Sequence, residues 1–116
     1  MNDVRLGSSG LRVSRIGLGM MSYAEPASRE WMLAEDEAEL IVRRAVETGV
    51  TFFDTADMYS GGGSEQITGR LLGRLFPRRD DYVLATKVYY PMGSGRTTGG
   101  CRASTCCRAS TARCAG

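Results

Sequence analysis

The sequence predicts an α/β fold, opened by a β-hairpin and continued in the order β, α, β, α, β. Three observations carry that expectation. Short runs rich in β-branched and aromatic residues alternate apolar with polar positions or form brief apolar cores, as strands require. Two longer stretches repeat apolar residues at three- and four-residue spacing, the period of an amphipathic helix. The two patterns take turns along the chain, and such alternation places a parallel sheet beneath covering helices.

The elements follow in order. Val4 and Leu6 lead into Gly7-Ser8-Ser9-Gly10, and beyond that turn Leu11 and Val13 alternate with Arg12 and Ser14. Two alternating runs around a Gly/Ser turn read as a hairpin. Arg15 to Gly19, "RIGLG", is a short buried strand, and "SYAEPASREWML" (residues 22–33), with Pro26 and no period, is a loop. The clearest helix is "AEDEAELIVRRAVETGV" (residues 34–50), with Ala38, Ile41, Val42, Ala45 and Val46 on one face. Glu35, Asp36 and Glu37 suit the positive end of its dipole, and Gly49 supplies a left-handed C-terminal cap. "VTFFDTA" (residues 50–56) is the next strand and "DMYSGGG" (residues 57–63) a flexible loop. "SEQITGRLLGRLF" (residues 64–76) is the second helix, with Ser64 as N-cap and Ile67, Leu71, Leu72 and Leu75 on one face. Gly69 and Gly73 weaken it and Pro77 ends it. "DYVLATKVYY" (residues 81–90) closes the series as a third parallel strand. Three such strands are the beginning of a larger domain of this class.

Composition limits the function classes. A net charge of +2 is too small to argue for nucleic acid or a membrane surface. No apolar run approaches the ~20 residues of a membrane span. "MNDVRLGSSG" is polar and no apolar segment follows, so no secretory signal is read and a cytoplasmic location is expected. "GLGMMS" (residues 17–22) lacks the third glycine and the helix of a dinucleotide fingerprint, and "SGGGSE" (residues 60–65) lacks the Lys-Ser/Thr of a phosphate loop.

Chemistry gathers at three residues. Asp54 ends the second strand of the series, Tyr59 follows five residues later in the loop, and Lys87 lies at the end of the third strand. Parallel neighbours run ~4.8 Å apart. Asp54 and Lys87 are therefore expected at one level, paired, with Tyr59 folded back over them at the carboxyl edge, where α/β proteins build their sites. An ammonium beside a tyrosine stabilises the phenolate and lowers its pKa. The trio then makes a general acid able to protonate a carbonyl oxygen as hydride reaches its carbon. The same spacing also suits a structural Asp–Lys ion pair beside an exposed tyrosine.

"GVTFFDTADMYSGGGSEQITG" (residues 49–69) closely resembles the aldo-keto reductases, and the likeness extends through "LGSSGLRVSRIGLGM" and "VLATKV" to cover roughly residues 4–93. The branch it resembles is the bacterial one that is also similar to potassium-channel β subunits. The resemblance implies the hairpin, first three strands and two helices of a (β/α)₈ barrel, with the hairpin plugging the barrel bottom. It implies NADPH as cofactor and a small aldehyde or ketone as substrate. It makes Tyr59 the general acid tuned by Asp54 and Lys87, and sets Gly19, Met20 and Asp54 at the cofactor. A barrel of this type needs about 250 residues, and the family's further catalytic histidine has no counterpart in a chain without histidine. The 116-residue chain is thus expected to be inactive by itself, the activity belonging to an intact parent protein. A non-enzymatic regulatory or binding module on a partial barrel is the alternative.

Residues 94–116 break with all this: they contain only Ser, Gly, Arg, Thr, Cys and Ala, with four arginines and no acid. Such a segment has nothing large to bury and is expected to be disordered. It holds every cysteine, Cys101, Cys106, Cys107 and Cys114, but the spacing offers no C-x₂-C pair of pairs and there is no histidine, so no metal site is expected, and without a secretory signal no disulfides are expected either. Read one frame over, with the last base of each codon joined to the first two of the next, the stretch permits the continuation typical of the resembling branch, including a leucine codon across Gly100 and Cys101. A frameshift near residue 93 is the expectation.

Overall fold

A computed structural model describes residues 2–24 and 29–94. The four cysteines and, apart from Ser94, the tail expected to be out of frame lie outside the described residues. Strands β1 (Asp3–Arg5) and β2 (Arg12–Ser14) form the expected antiparallel hairpin, with Val4 opposite Val13. Its turn is closed by Leu6 N–H on the Leu11 carbonyl at 2.9 Å and the Ser9 hydroxyl on the Leu6 carbonyl at 2.6 Å. Strands β3 (Gly17–Gly19), β4 (Phe52–Asp54) and β5 (Val83–Ala85) form one parallel sheet in that order. Its register aligns Gly19, Asp54 and Ala85 at the carboxyl edge. Helix α1 (Glu35–Glu47) joins β3 to β4, and helix α2 (Gly63–Leu75) joins β4 to β5.

The two ends of the sheet are fixed by different chemistry. At the amino end, Ser14 N–H donates to Thr51 Oγ1 at 3.1 Å and Thr51 N–H returns a bond to Ser14 Oγ at 3.0 Å. That reciprocal pair seats the hairpin at the start of β4, far from the carboxyl edge. The core lies between sheet and helices, where Phe53, Met20, Val42, Leu71 and Leu72 have no exposed surface. Phe76 and Tyr82 meet the Phe53 ring edge-on at 6.0 and 6.3 Å between centroids. Across the outer face Glu35 of α1 accepts from Arg70 at 2.6 Å and Arg74 at 3.0 Å of α2. The Arg70 hydrogen bond leads the effects that hold the Glu35 carboxyl below the ordinary glutamate range. The pair is exposed enough that its contribution stays below about 1 kcal/mol.

Gly49 takes φ +92° directly after the last turn of α1, the left-handed stop its sequence predicts. Three expectations are corrected. Ile41 is 43% exposed, because Ala38, Val42, Ala45 and Val46 fill the stripe that meets the core and Ile41 falls on its flank. Ser64 does not cap α2: Gly62, at φ +97°, occupies that position, and Ser64 sits inside the first turn with its hydroxyl committed elsewhere. The loop of residues 22–33 is not wholly irregular, since Tyr23 bridges Leu33 in parallel and Ala24 N–H donates to the Leu33 carbonyl at 3.0 Å.

The two glycines inside α2 lie on its outer face, and a Cβ at Gly69 or Gly73 would meet no atom within 4 Å. Gly73→Ala is expected to stabilise the chain by about 0.5–1 kcal/mol, through helix propensity alone. Denaturant midpoints of the two proteins check it, and an unchanged or lower midpoint would show that the glycine serves a contact.

Candidate active site

The carboxyl edge of β4 carries Asp54, and the chain then runs through Thr55 and Ala56 into a tight loop. Tyr59 N–H donates to the Ala56 carbonyl at 3.2 Å, beginning a 3₁₀ turn over Tyr59–Gly62. Lys87 stands two residues past Ala85, the register partner of Asp54, so the two are not level as expected. The period of two nevertheless keeps Lys87 on the same face as Ala85, and its long stem reaches back. Its ammonium donates to Asp54 Oδ2 at 2.7 Å and to the Thr55 carbonyl at 2.8 Å. The same nitrogen is 5.1 Å from the centroid of the Tyr59 ring. The three residues singled out by sequence are therefore brought together.

Electrostatics at Lys87 are settled by competition. Desolvation draws its pKa down, but the hydrogen bond to Asp54, the Tyr59 oxygen beside it and the Asp54 charge together outweigh it, and the pKa stands above the ordinary lysine value. Lys87 is thus a cation throughout the neutral range. Its charge leans on a carboxylate that is 46% exposed, and it is itself 50% exposed, so the cluster faces outward from the sheet edge.

The residues expected at a cofactor divide. Gly19 is exposed beside Asp54, and a Cβ built on it meets no atom within 4 Å, leaving open floor at the end of β3. Gly19 and Asp54 therefore both border open space at the carboxyl edge. Met20 has no exposed surface and packs in the core, while its N–H donates to the Asp54 carbonyl at 2.8 Å. Its side chain supports the site rather than lining it, because the chain turns inward between the helices directly after β3.

Beside Tyr59 opens a cleft of about 430 Å³ lined by Met21, Arg29, Trp31, Met32, Met58, Tyr59 and Ser60. Apart from Tyr59, sequence reasoning gave none of these residues a place in the site, since a loop without period offers no pattern. The single tryptophan of the chain was the one available signal. Ser60 is held at φ +52°, ψ +41°, the only non-glycine residue with positive φ among those described, and its hydroxyl points at Met32 Sδ at 3.5 Å. A serine in the left-handed region costs roughly 1–2 kcal/mol relative to a right-handed conformation. Ser60→Gly is expected to raise stability by about 0.5–1 kcal/mol. Equilibrium denaturation decides it, and a loss of stability would show that the Met32 contact outweighs the strain. Among the described residues no group of acids, cysteines or histidines could hold a metal ion, and no helix is long and apolar enough to cross a membrane.

Fold and site together define a parallel α/β protein with a carboxylate, an ammonium and a phenol clustered at the carboxyl edge of its strands. The Aldo/keto reductase family model matches residues 15–115. Versiconal hemiacetal acetate reductase of Aspergillus parasiticus is 38% identical over 110 residues, covering 86% of this chain and 32% of its own length. L-galactose dehydrogenase of Arabidopsis thaliana is 42% identical over 83 residues, covering 71% of this chain and 25% of its own length. Among solved structures, the holo form of aldo-keto reductase AKR11C1 from Bacillus halodurans superposes with a TM-score of 0.65 at 36% identity, covering 84% of this chain and 29% of that one. The chain belongs to the aldo/keto reductase family. It spans about a quarter to a third of the length of these relatives, and its described residues form three strands and two helices of the (β/α)₈ barrel without closing it.

Proposed function

We propose that this chain is the acid–base segment of an NADPH-dependent reductase of aldehydes and ketones. The observation that carries the reading is the Lys87 ammonium, bonded to Asp54 at 2.7 Å and lying against the Tyr59 ring. When bound, a reduced nicotinamide supplies hydride to the carbonyl carbon. The part of the chain itself is to receive the carbonyl compound in the cleft beside Tyr59 and to give its oxygen a proton from the phenol. Lys87 then stabilises the negative charge left on the tyrosine oxygen, and Asp54 holds Lys87 in place. Gly19 and Asp54 would border the nicotinamide ring. The names of the relatives, a hemiacetal acetate reductase and an L-galactose dehydrogenase, agree with carbonyl and alcohol chemistry.

The test places this segment in a complete barrel and follows NADPH consumption with an aromatic aldehyde. Turnover by that protein, and none by the 116-residue chain alone, is the expected pair of results. A complete barrel that leaves NADPH untouched overturns the activity, and turnover by the short chain overturns its dependence on the rest of the fold. The frameshift reading of residues 94–116 belongs to the same proposal. The encoding DNA should carry an aldo/keto reductase continuation in the shifted frame, and a closed frame there would end that reading.

A further inference from the structure

The first turn of α2 holds both strands that carry the cluster, through polar groups the proposed reaction does not use. Thr55, Ser64 and Thr68 have no exposed surface. Ser64 Oγ–H donates to the Met20 carbonyl at 2.7 Å, which commits its only proton. The 3.0 Å contact between Thr55 Oγ1 and Ser64 Oγ must then run from threonine to serine. The result is a directed chain, Thr55 hydroxyl to Ser64 hydroxyl to Met20 carbonyl, joining β4, α2 and the end of β3. Thr68 Oγ1–H donates to the Ser64 carbonyl at 2.7 Å and fixes the turn from behind. One residue along, Glu65 Oε1 accepts from Thr86 Oγ1 at 2.6 Å. Thr86 immediately precedes Lys87, and Thr55 immediately follows Asp54.

Every polar group of Thr55 is thereby engaged. Its N–H donates to the Ala85 carbonyl at 2.9 Å, its side chain to Ser64, and its carbonyl accepts from Lys87 at 2.8 Å. Rotating the Thr55 peptide would withdraw the carbonyl that anchors Lys87 and move the neighbouring Asp54 carboxylate with it. We propose that Ser64 and Glu65 form a positioning clamp, acting through Thr55 and Thr86, that sets where the Lys87 ammonium stands relative to Asp54 and Tyr59. The clamp rests on the reading of Lys87 as part of a working acid–base cluster, but its test does not need turnover.

Lys87 is the single lysine of the chain, so isotope-labelled lysine gives one side-chain amine signal to follow by NMR. Thr55→Val keeps the shape and removes the hydroxyl, whereas Thr55→Ser keeps the hydroxyl. In Thr55→Val the ammonium protons are expected to exchange with water about tenfold faster, as loss of one well-made hydrogen bond implies. Thr55→Ser should exchange at the parent rate, and Ser64→Ala should match Thr55→Val. Ser64→Cys, which keeps the volume with a poorer donor, carries the test if the alanine variant does not fold, and should fall between. Variants that remain folded and lose stability, yet leave the Lys87 exchange rate unchanged, would make the hydroxyl chain mere structural adhesive and overturn the clamp. Normal turnover of Thr55→Val in the complete barrel, with unchanged Lys87 exchange in the 116-residue chain, refutes the clamp alone. Altered exchange without any turnover by the parent sequence refutes the proposed function and leaves the clamp standing.

Discussion

In a complete barrel carrying this segment, Tyr59→Phe is expected to lower kcat by about 10²–10⁴-fold, the usual worth of a positioned proton donor. The substitution removes one oxygen and leaves the ring 5.1 Å from the Lys87 ammonium largely in place. Packing should therefore survive, and so should binding. Trp31 lines the same cleft as Tyr59, so in a barrel that keeps Trp31 as its one tryptophan the fluorescence reports occupancy without any turnover. Affinity for an aromatic aldehyde read this way should change by less than about tenfold, since one neutral hydrogen bond is all that is lost. The contrast between a large kcat effect and a small binding effect is the signature of a group used in the transition state. Equal loss in both would mean that Tyr59 shapes the cleft and donates no proton. The Lys87 pKa, held above the ordinary value, gives the pH sense. The contribution of the Lys87 charge to stability is fully present below the pKa of an unfolded lysine and is lost as pH rises through the higher folded value. The neutral range lies wholly on the paired side.

Phe53→Ala should be the most damaging single change to the fold. Phe53 is fully buried at the middle of β4, between the two other strands, and it receives the edges of Phe76 and Tyr82. Removing the ring leaves a cavity that three neighbouring elements cannot collapse into, at a cost of about 3–5 kcal/mol. Against a typical total of roughly 5–15 kcal/mol for a whole domain, that leaves a partial barrel with little margin. Phe53→Leu, which fills most of the volume, should cost about 1–1.5 kcal/mol. Urea denaturation separates the two, and similar small losses from both would place the core elsewhere. Because Asp54 is the next residue, the alanine variant should also release Lys87 from its partner.

What sequence could reveal here was whatever is periodic or chemically singular. The hairpin, the β-α alternation and the stop at Gly49 follow from local patterns whose physics is complete within a few residues. Asp54, Tyr59 and Lys87 were legible because strand ends of a parallel sheet converge, even though Lys87 proved to stand two residues further along than Asp54 and to reach back. Ser64 was misread for a physical reason. A serine at the start of a helix satisfies backbone donors in the absence of other claims, and here the Met20 carbonyl, 44 residues away, made the stronger claim. The cleft residues Met21, Trp31 and Met58 were not legible, because a loop is placed by tertiary contacts that no period announces. Ile41 shows the converse limit: an apolar stripe can be wider than the surface available to cover it.

The three clustered residues come from a single stretch of 34 positions, Asp54 to Lys87, that runs from the last residue of β4 through α2 and just past β5. Chains leave the ribosome at about 5–20 residues per second and tend to organise from the amino end. The corner that holds Asp54, Tyr59 and Lys87 can thus assemble within seconds of the sheet's third strand emerging, before any later part of a barrel has been synthesised. In this fold the clustered carboxylate, phenol and ammonium are built early and locally, and the rest of a barrel is added to a corner already in place.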